Sequence, residues 1–176
     1  MAFSSVSSML DACKQSGHPL YEVILESDLA ESGLTRAESE AEMHRLWGVI
    51  CATSAEYCGA DRSMSGYAGG DAAKVAQAAG EGRLYADGYF AEVIAEALKT
   101  AECNACMKRI VAAPTAGSCG VLPAVLLPLF RAGRADEDAV CRALYVAAGF
   151  GQVVAARATL AGAEGGCQAE VGAASA

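Results

Sequence analysis

Basic side chains are scarce in this 176-residue chain: 13 Lys and Arg stand against 21 Asp and Glu, for a net charge of −8. They are scattered rather than clustered. A nucleic-acid surface needs concentrated Lys and Arg to displace phosphate counterions, so nucleic acid is excluded as an expected partner. Aromatics are also few, at 6%, while 53% of residues are hydrophobic and many of these are alanine. That balance disfavours a sheet rich in Val, Ile and Tyr and predicts a mainly α fold of closely packed helices. Only two histidines occur, His18 and His44, neither beside a loop serine or cysteine in sequence, so no Ser/His or Cys/His pair can be argued. Both are expected to be solvated or capping. The start, M-A-F-S-S-V-S-S-M-L, lacks a basic segment and a long apolar one, and a leader peptide is not expected. The eight cysteines then read as reduced thiols or metal ligands in a cytoplasmic protein.

One uncharged stretch, Ile110 to Phe130, is long enough to span a bilayer. Pro114, Pro123 and Pro128, with Gly117 and Gly120, would leave backbone groups unpaired in lipid, so a membrane span is not expected.

Helix signals punctuate the chain. A first helix is predicted from Ser5 to Ser16, stopped by Gly17; a second starts at Pro19 and ends at Gly33. Thr35 and Glu38 form a capping-box pattern for a long helix to about Cys58, closed by Gly59. Asp61–Gly70, D-R-S-M-S-G-Y-A-G-G, reads as an exposed or site-forming loop, and Asp71 as the cap of a helix to Ala79. Asp87 or Gly88 should open the next, toward Lys108, and Val121–Phe130 the one after it. Asp136 should cap a further helix, interrupted near Gly149 and Gly151, and a last one should begin at Cys167. It stops about two turns later without a polar tail, so the chain is expected to be cut short within a single domain, residues 1–176.

Two Gly-rich loops feed helix starts. P-T-A-G-S-C-G, Pro114 to Gly120, offers hydroxyls beside unpaired N–H groups, which suits a carboxylate or phosphate; a capped helix start without ligand is the bland alternative. G-A-E-G-G-C-Q, Gly162 to Gln168, places Cys167 where the helix dipole favours thiolate, and ligand, nucleophile or filler all remain open. The pair Cys103 and Cys106 in C-N-A-C falls late in a predicted helix, which weakens a redox reading, and a zinc site would need two further ligands. Cys13, Cys51, Cys58 and Cys141 are expected in the core. A nucleotide loop is disfavoured because the phosphate-binding lysine and spacing are missing.

Three blocks, R-S-M-S-G-Y-A-G-G-D-A-A-K (62–74), N-A-C-M-K-R-I-V-A-A-P-T-A-G-S-C-G-V-L-P-A-V-L-L (104–127) and G-A-E-G-G-C-Q-A-E-V-G (162–172), resemble in order and spacing the alpha subunit of bacterial iron-sulfur L-serine dehydratase. The resemblance implies a lyase that turns L-serine into pyruvate and ammonia. It implies a [4Fe-4S] cluster on three cysteines, with an open iron acting as Lewis acid. Cys167 matches one cluster ligand; Thr115, Gly117 and Ser118 match a substrate-pocket loop, as do Ser63, Ser65 and Gly66. The remaining two ligands and the histidine base are expected outside this chain, in a more C-terminal segment and in a beta subunit or beta domain. The isolated chain is therefore expected to be inactive, and a homodimer is a further expectation. Lys108 stands where the family has glycine, and Ala156, Thr159 and Ala161 where it has an asparagine and serines. A non-catalytic helical remnant or interaction module is the rival reading.

Overall fold

A computed structural model describes residues 3–85 and 88–176. Among the described residues it is helical throughout, with no strand. The helices are α1 (Val6–Ser16), α2 (Leu20–Ser32), α3 (Arg36–Ala55), α4 (Asp71–Gly80), α5 (Gly88–Ala105), α6 (Val121–Arg131), α7 (Glu137–Ala155), α8 (Gly162–Gly165) and α9 (Cys167–Ser175). A 3-10 turn, Ala116–Ser118, precedes α6.

Local chemistry sets most boundaries. Ser5 Oγ accepts from the Ser8 amide, and Gly17 ends α1 in the left-handed region at φ 73°. Gly33 does the same for α2 at φ 71°. Such positions cost an L side chain strain that glycine avoids. Thr35 and Glu38 complete their reciprocal capping box on α3, and Asp136 Oδ1 accepts from the Ala139 amide at 2.8 Å to start α7.

Four expectations are corrected. Helix α3 ends at Ala55, short of Cys58, because the Glu56 amide closes on Ala52 while the Tyr57 hydroxyl is drawn to Glu102. Cys58 accordingly lies exposed beyond the helix rather than in a core. Gly149 and Gly151 do not interrupt α7, which runs on to Ala155. A Cβ at Gly149 would sit 2.4 Å from Ile24 Cδ1, so this glycine permits close packing of α7 on α2. Asp71 is the first residue of α4 rather than its cap, and its carboxylate pairs with Lys74 at 2.7 Å. The expected capping role of Asp87 lies outside the described residues.

The main core joins α3, α6 and α7 through Trp47, Ile50, Leu126, Leu127, Val140, Cys141 and Leu144. Met9, Ile24 and Val153 form a smaller one between α1, α2 and α7. Each fully buried Leu or Ile stabilises by about 1.5–3 kcal/mol. Helix α5 packs between α4 and α6, and α9 lies against the 3-10 turn, α6 and α7. Among the described residues no helix is long and apolar enough to cross a membrane.

Candidate functional site

The loop between α5 and α6 is pinned to α5 at three points. Asn104 Nδ2 donates to the Ala116 carbonyl at 3.0 Å. Cys119, 2% exposed, places its sulfur 3.8 Å from the Thr100 carbonyl. Gly120 lies so close to α5 that a Cβ there would be 2.6 Å from the Ala97 carbonyl oxygen. The Ala113–Pro114 bond is cis. Ser118 is buried, with Oγ 3.1 Å from the Ala113 carbonyl and 3.3 Å from that of Thr115. Thr115 Oγ1 is 3.4 Å from the same hydroxyl. The Ser118 hydroxyl therefore serves the loop's own fold first.

The second glycine loop arrives at this turn from the other side. Gly166, at φ 71°, leads into α9 and sets exposed Cys167 as its first residue. One turn on, Glu170 lays its carboxylate against two glycines: a Cβ at Gly117 would be 2.6 Å from Oε2, and one at Gly162 would be 2.9 Å from it. Residues three apart lie near one another on a helix, so exposed Cys167 precedes Glu170 by about one turn. The structure thus brings α9, with Cys167 at its start, to the loop of Thr115, Gly117 and Ser118. Sequence reasoning gave Glu170 no role; its three-residue spacing from Cys167 was the available signal.

Ser63, Ser65 and Gly66 lie in the loop before α4, and their hydrogen bonds among the described residues stay within it. The Ser63 amide donates to the Ala68 carbonyl at 2.9 Å, its Oγ is 3.1 Å from Ser65 Oγ, and the Gly66 amide donates to the Ser63 carbonyl at 2.8 Å. This loop is tied to the end of α5 by a Lys108–Asp61 ion pair and by Glu102. The Glu102 carboxylate accepts from the amides of Gly70, Asp71 and Ala72 at 3.0, 2.7 and 3.2 Å and from the Tyr57 hydroxyl at 2.6 Å. The anion-binding start of α4 is thereby filled by the protein itself. Burial, then the Glu102 carboxylate, push the Tyr57 hydroxyl up to about 12.

Among the described residues, no three His, Cys, Asp or Glu side chains converge as a metal site. The chain's residues do not by themselves fit a cluster needing three thiolates. All eight cysteines are free. Burial raises the thiols of Cys103 and Cys119 above the ordinary range, which suits packing rather than ligation. His44, expected as a solvated or capping residue, has Nδ1 2.8 Å from Glu137 at the start of α7 and 3.6 Å from the Cys141 sulfur. Burial and the acidic neighbours Glu137 and Asp138 push the Cys141 thiol up to about 11, so this pair is no activated nucleophile. A buried ion network ties α3, α5 and α6: Glu96, 1% exposed, meets Lys99 and Arg131 at 2.7 Å each and Ser54 at 2.5 Å. Burial raises its carboxyl, yet these partners hold it below the ordinary value.

Comparison with known proteins shows what the chain is similar to. A family model described as serine dehydratase alpha chain matches residues 15–176. The L-serine dehydratase alpha chain of Peptoniphilus asaccharolyticus is 33% identical over 174 residues, covering 98% of this chain and 60% of that one. A probable L-serine dehydratase alpha chain of Bacillus subtilis is 31% identical, covering 98% and 58%. Another, of Latilactobacillus sakei, is 52% identical over 85 residues, covering 48% and 41%. The chain spans about three-fifths of the length of the first two relatives. No solved structure matches it.

Proposed function

Because the chain belongs to the serine dehydratase alpha chain family, we propose that it forms part of an iron-sulfur lyase converting L-serine to pyruvate and ammonia. The observation that carries this reading is the seating of α9 on the 3-10 turn, which joins the Cys167 helix start to the Thr115–Ser118 loop. The turn, opening a helix, offers backbone amides toward a substrate carboxylate. Cys167, exposed at the start of α9, is free to act as one cluster ligand. With no set of three metal-ligating side chains among the described residues, the cluster would be completed by thiolates from outside this chain. The reaction removes the α-proton and the β-hydroxyl of serine, and the resulting enamine tautomerises and is hydrolysed. We assign no base within the chain; it would come from a beta-type partner, and its absence would cost about 10²- to 10⁴-fold in rate. Free thiols throughout suit a reducing compartment such as the cytoplasm.

The test is anaerobic reconstitution with iron and sulfide, on the chain alone and on its assembly with a beta chain and the family segment it does not span. The assembly is expected to gain visible cluster absorbance and to form pyruvate, the lone chain neither, and Cys167→Ala to abolish both. Pyruvate formation by the lone chain, or a cluster undiminished by Cys167→Ala, would overturn the reading.

A further inference from the structure

The two cysteines of C-N-A-C, which the candidate site does not use, meet a third thiol in the folded chain. A crevice where the end of α3 passes the end of α5 is lined by Cys58, Asp61, Glu102, Cys103, Cys106 and Lys108, and it is too narrow to admit a water molecule. It has no room for a small ligand. Nor do its thiols and carboxylates converge as a metal site among the described residues. What remains is the chemistry of the thiols on one another.

Exposure and attachment separate the three. Cys58 is exposed in the segment after α3, Cys106 is half-buried directly after α5, and neither sulfur makes a hydrogen bond among the described residues. Cys103, 3% exposed, sits inside α5 with its sulfur 3.8 Å from the Thr53 carbonyl. Its pairing with Cys106 is disfavoured, because Cβ atoms three residues apart on a helix are about 5–6 Å apart and a disulfide needs about 3.5–4.5 Å. Closing that gap would unwind the last turn of α5. Cys58 and Cys106 both lie outside helices, where the backbone adjusts at less cost. The hydrogen bond and charge of Asp61 raise the Lys108 ammonium above its ordinary value, and the thiols of Cys103 and Cys58 add to this, which places both sulfurs in its field. Reactive thiols occupy such partly exposed, electropositive places.

We propose that Cys58 and Cys106 form a reversible disulfide when the protein meets a hydroperoxide. Cys58, facing solvent, attacks hydrogen peroxide; the O–O bond breaks, one oxygen stays on sulfur as a sulfenic acid and the other leaves as water. The Cys106 sulfur then displaces the sulfenic oxygen as a second water, each thiol having given up its proton. Two thiols are oxidised to one disulfide, and one peroxide is reduced to two waters. A low-molecular-weight thiol restores both cysteines by exchange. The bond ties the chain entering the 61–70 loop to the chain leaving α5, beside the Lys108–Asp61 pair. It stands independently of the lyase reading.

The experiment treats the reduced 176-residue chain with hydrogen peroxide, alkylates the remaining thiols and maps linked peptides by mass spectrometry without reduction. The expected result is a Cys58–Cys106 link within one chain, the loss of two alkylatable thiols, and recovery of both on adding dithiothreitol. In Cys106→Ser, Cys58 should stop at the sulfenic acid and be captured by dimedone. In Cys58→Ser, Cys106 should stay reduced. The map of the unaltered chain decides the matter even where a variant fails to fold. A Cys103–Cys106 link, links between chains alone, Cys58 oxidised without a partner, or thiols left untouched would each overturn the proposal.

Discussion

Glu102 does locally what a sequence reader assigns to Asp71. Its carboxylate gathers three amides at the start of α4 from a helix some thirty residues on, and the Tyr57 hydroxyl closes the fourth bond. Glu102→Gln should therefore cost about 1–3 kcal/mol in urea unfolding and speed hydrogen exchange at the start of α4. Unchanged exchange there would show that the cap is dispensable. The variant should also lower the Tyr57 titration from about 12 toward the ordinary 10, since the neighbouring anion no longer opposes the phenolate, though burial still does. A group whose folded pKa is raised stabilises most below its unfolded value. The Tyr57 contribution is thus complete below pH 10 and lost as pH rises through about 12. Ultraviolet titration of tyrosinate, with Tyr57→Phe to assign the step, checks the direction. None of this was legible in the sequence, because a cap supplied across 31 residues leaves no local pattern. Glu170 was hidden for the same reason: the two glycines it lies against, Gly117 and Gly162, are 45 positions apart in a chain read one segment at a time.

Helices and their ends divide by the range of the force that sets them. Ser5, Gly17, Gly33, Thr35 with Glu38, and Asp136 act within one turn, and each boundary they signal is where the sequence puts it. Gly149 shows the contrary case. Its low helix propensity reads as a break worth about 1 kcal/mol, but packing against Ile24 outweighs that cost and α7 continues. Gly149→Ala should therefore destabilise the protein despite improved propensity, by about 1–3 kcal/mol from overpacking. In the double variant with Ile24→Val, which trims the side chain that collides, much of this loss should be recovered beyond additivity. Denaturant midpoints of the four proteins in that cycle decide it. A stabilising Gly149→Ala would return the position to the ordinary propensity argument.

Across the whole molecule, the candidate site is assembled from parts of unequal rigidity. The 115–118 loop is clamped to α5, whose buried face includes Ala91, Ala95, Glu96, Thr100, Glu102 and Cys103, and it leads into α6 with Leu126 and Leu127 in the core. Helices α8 and α9 bury no residue fully, and a nine-residue helix is marginal without packing. Beside them an apolar groove of about 520 Å³ is lined by residues of α3, α6 and α7 and by Ala173 to Ala176. Local opening follows such differences in burial: well-packed elements exchange near the global free energy and loosely held ones far below it. Native-state hydrogen exchange on this chain should find the α6 amides slow and those of α9, including Glu170, faster by at least about 100-fold. Supplying the family segment that the chain does not span, with the beta partner, should slow α9 exchange if assembly completes the site around Cys167. Equal protection of α6 and α9 in the lone chain would mean that the Cys167 helix is already fixed. Organisation of the site would then not depend on assembly.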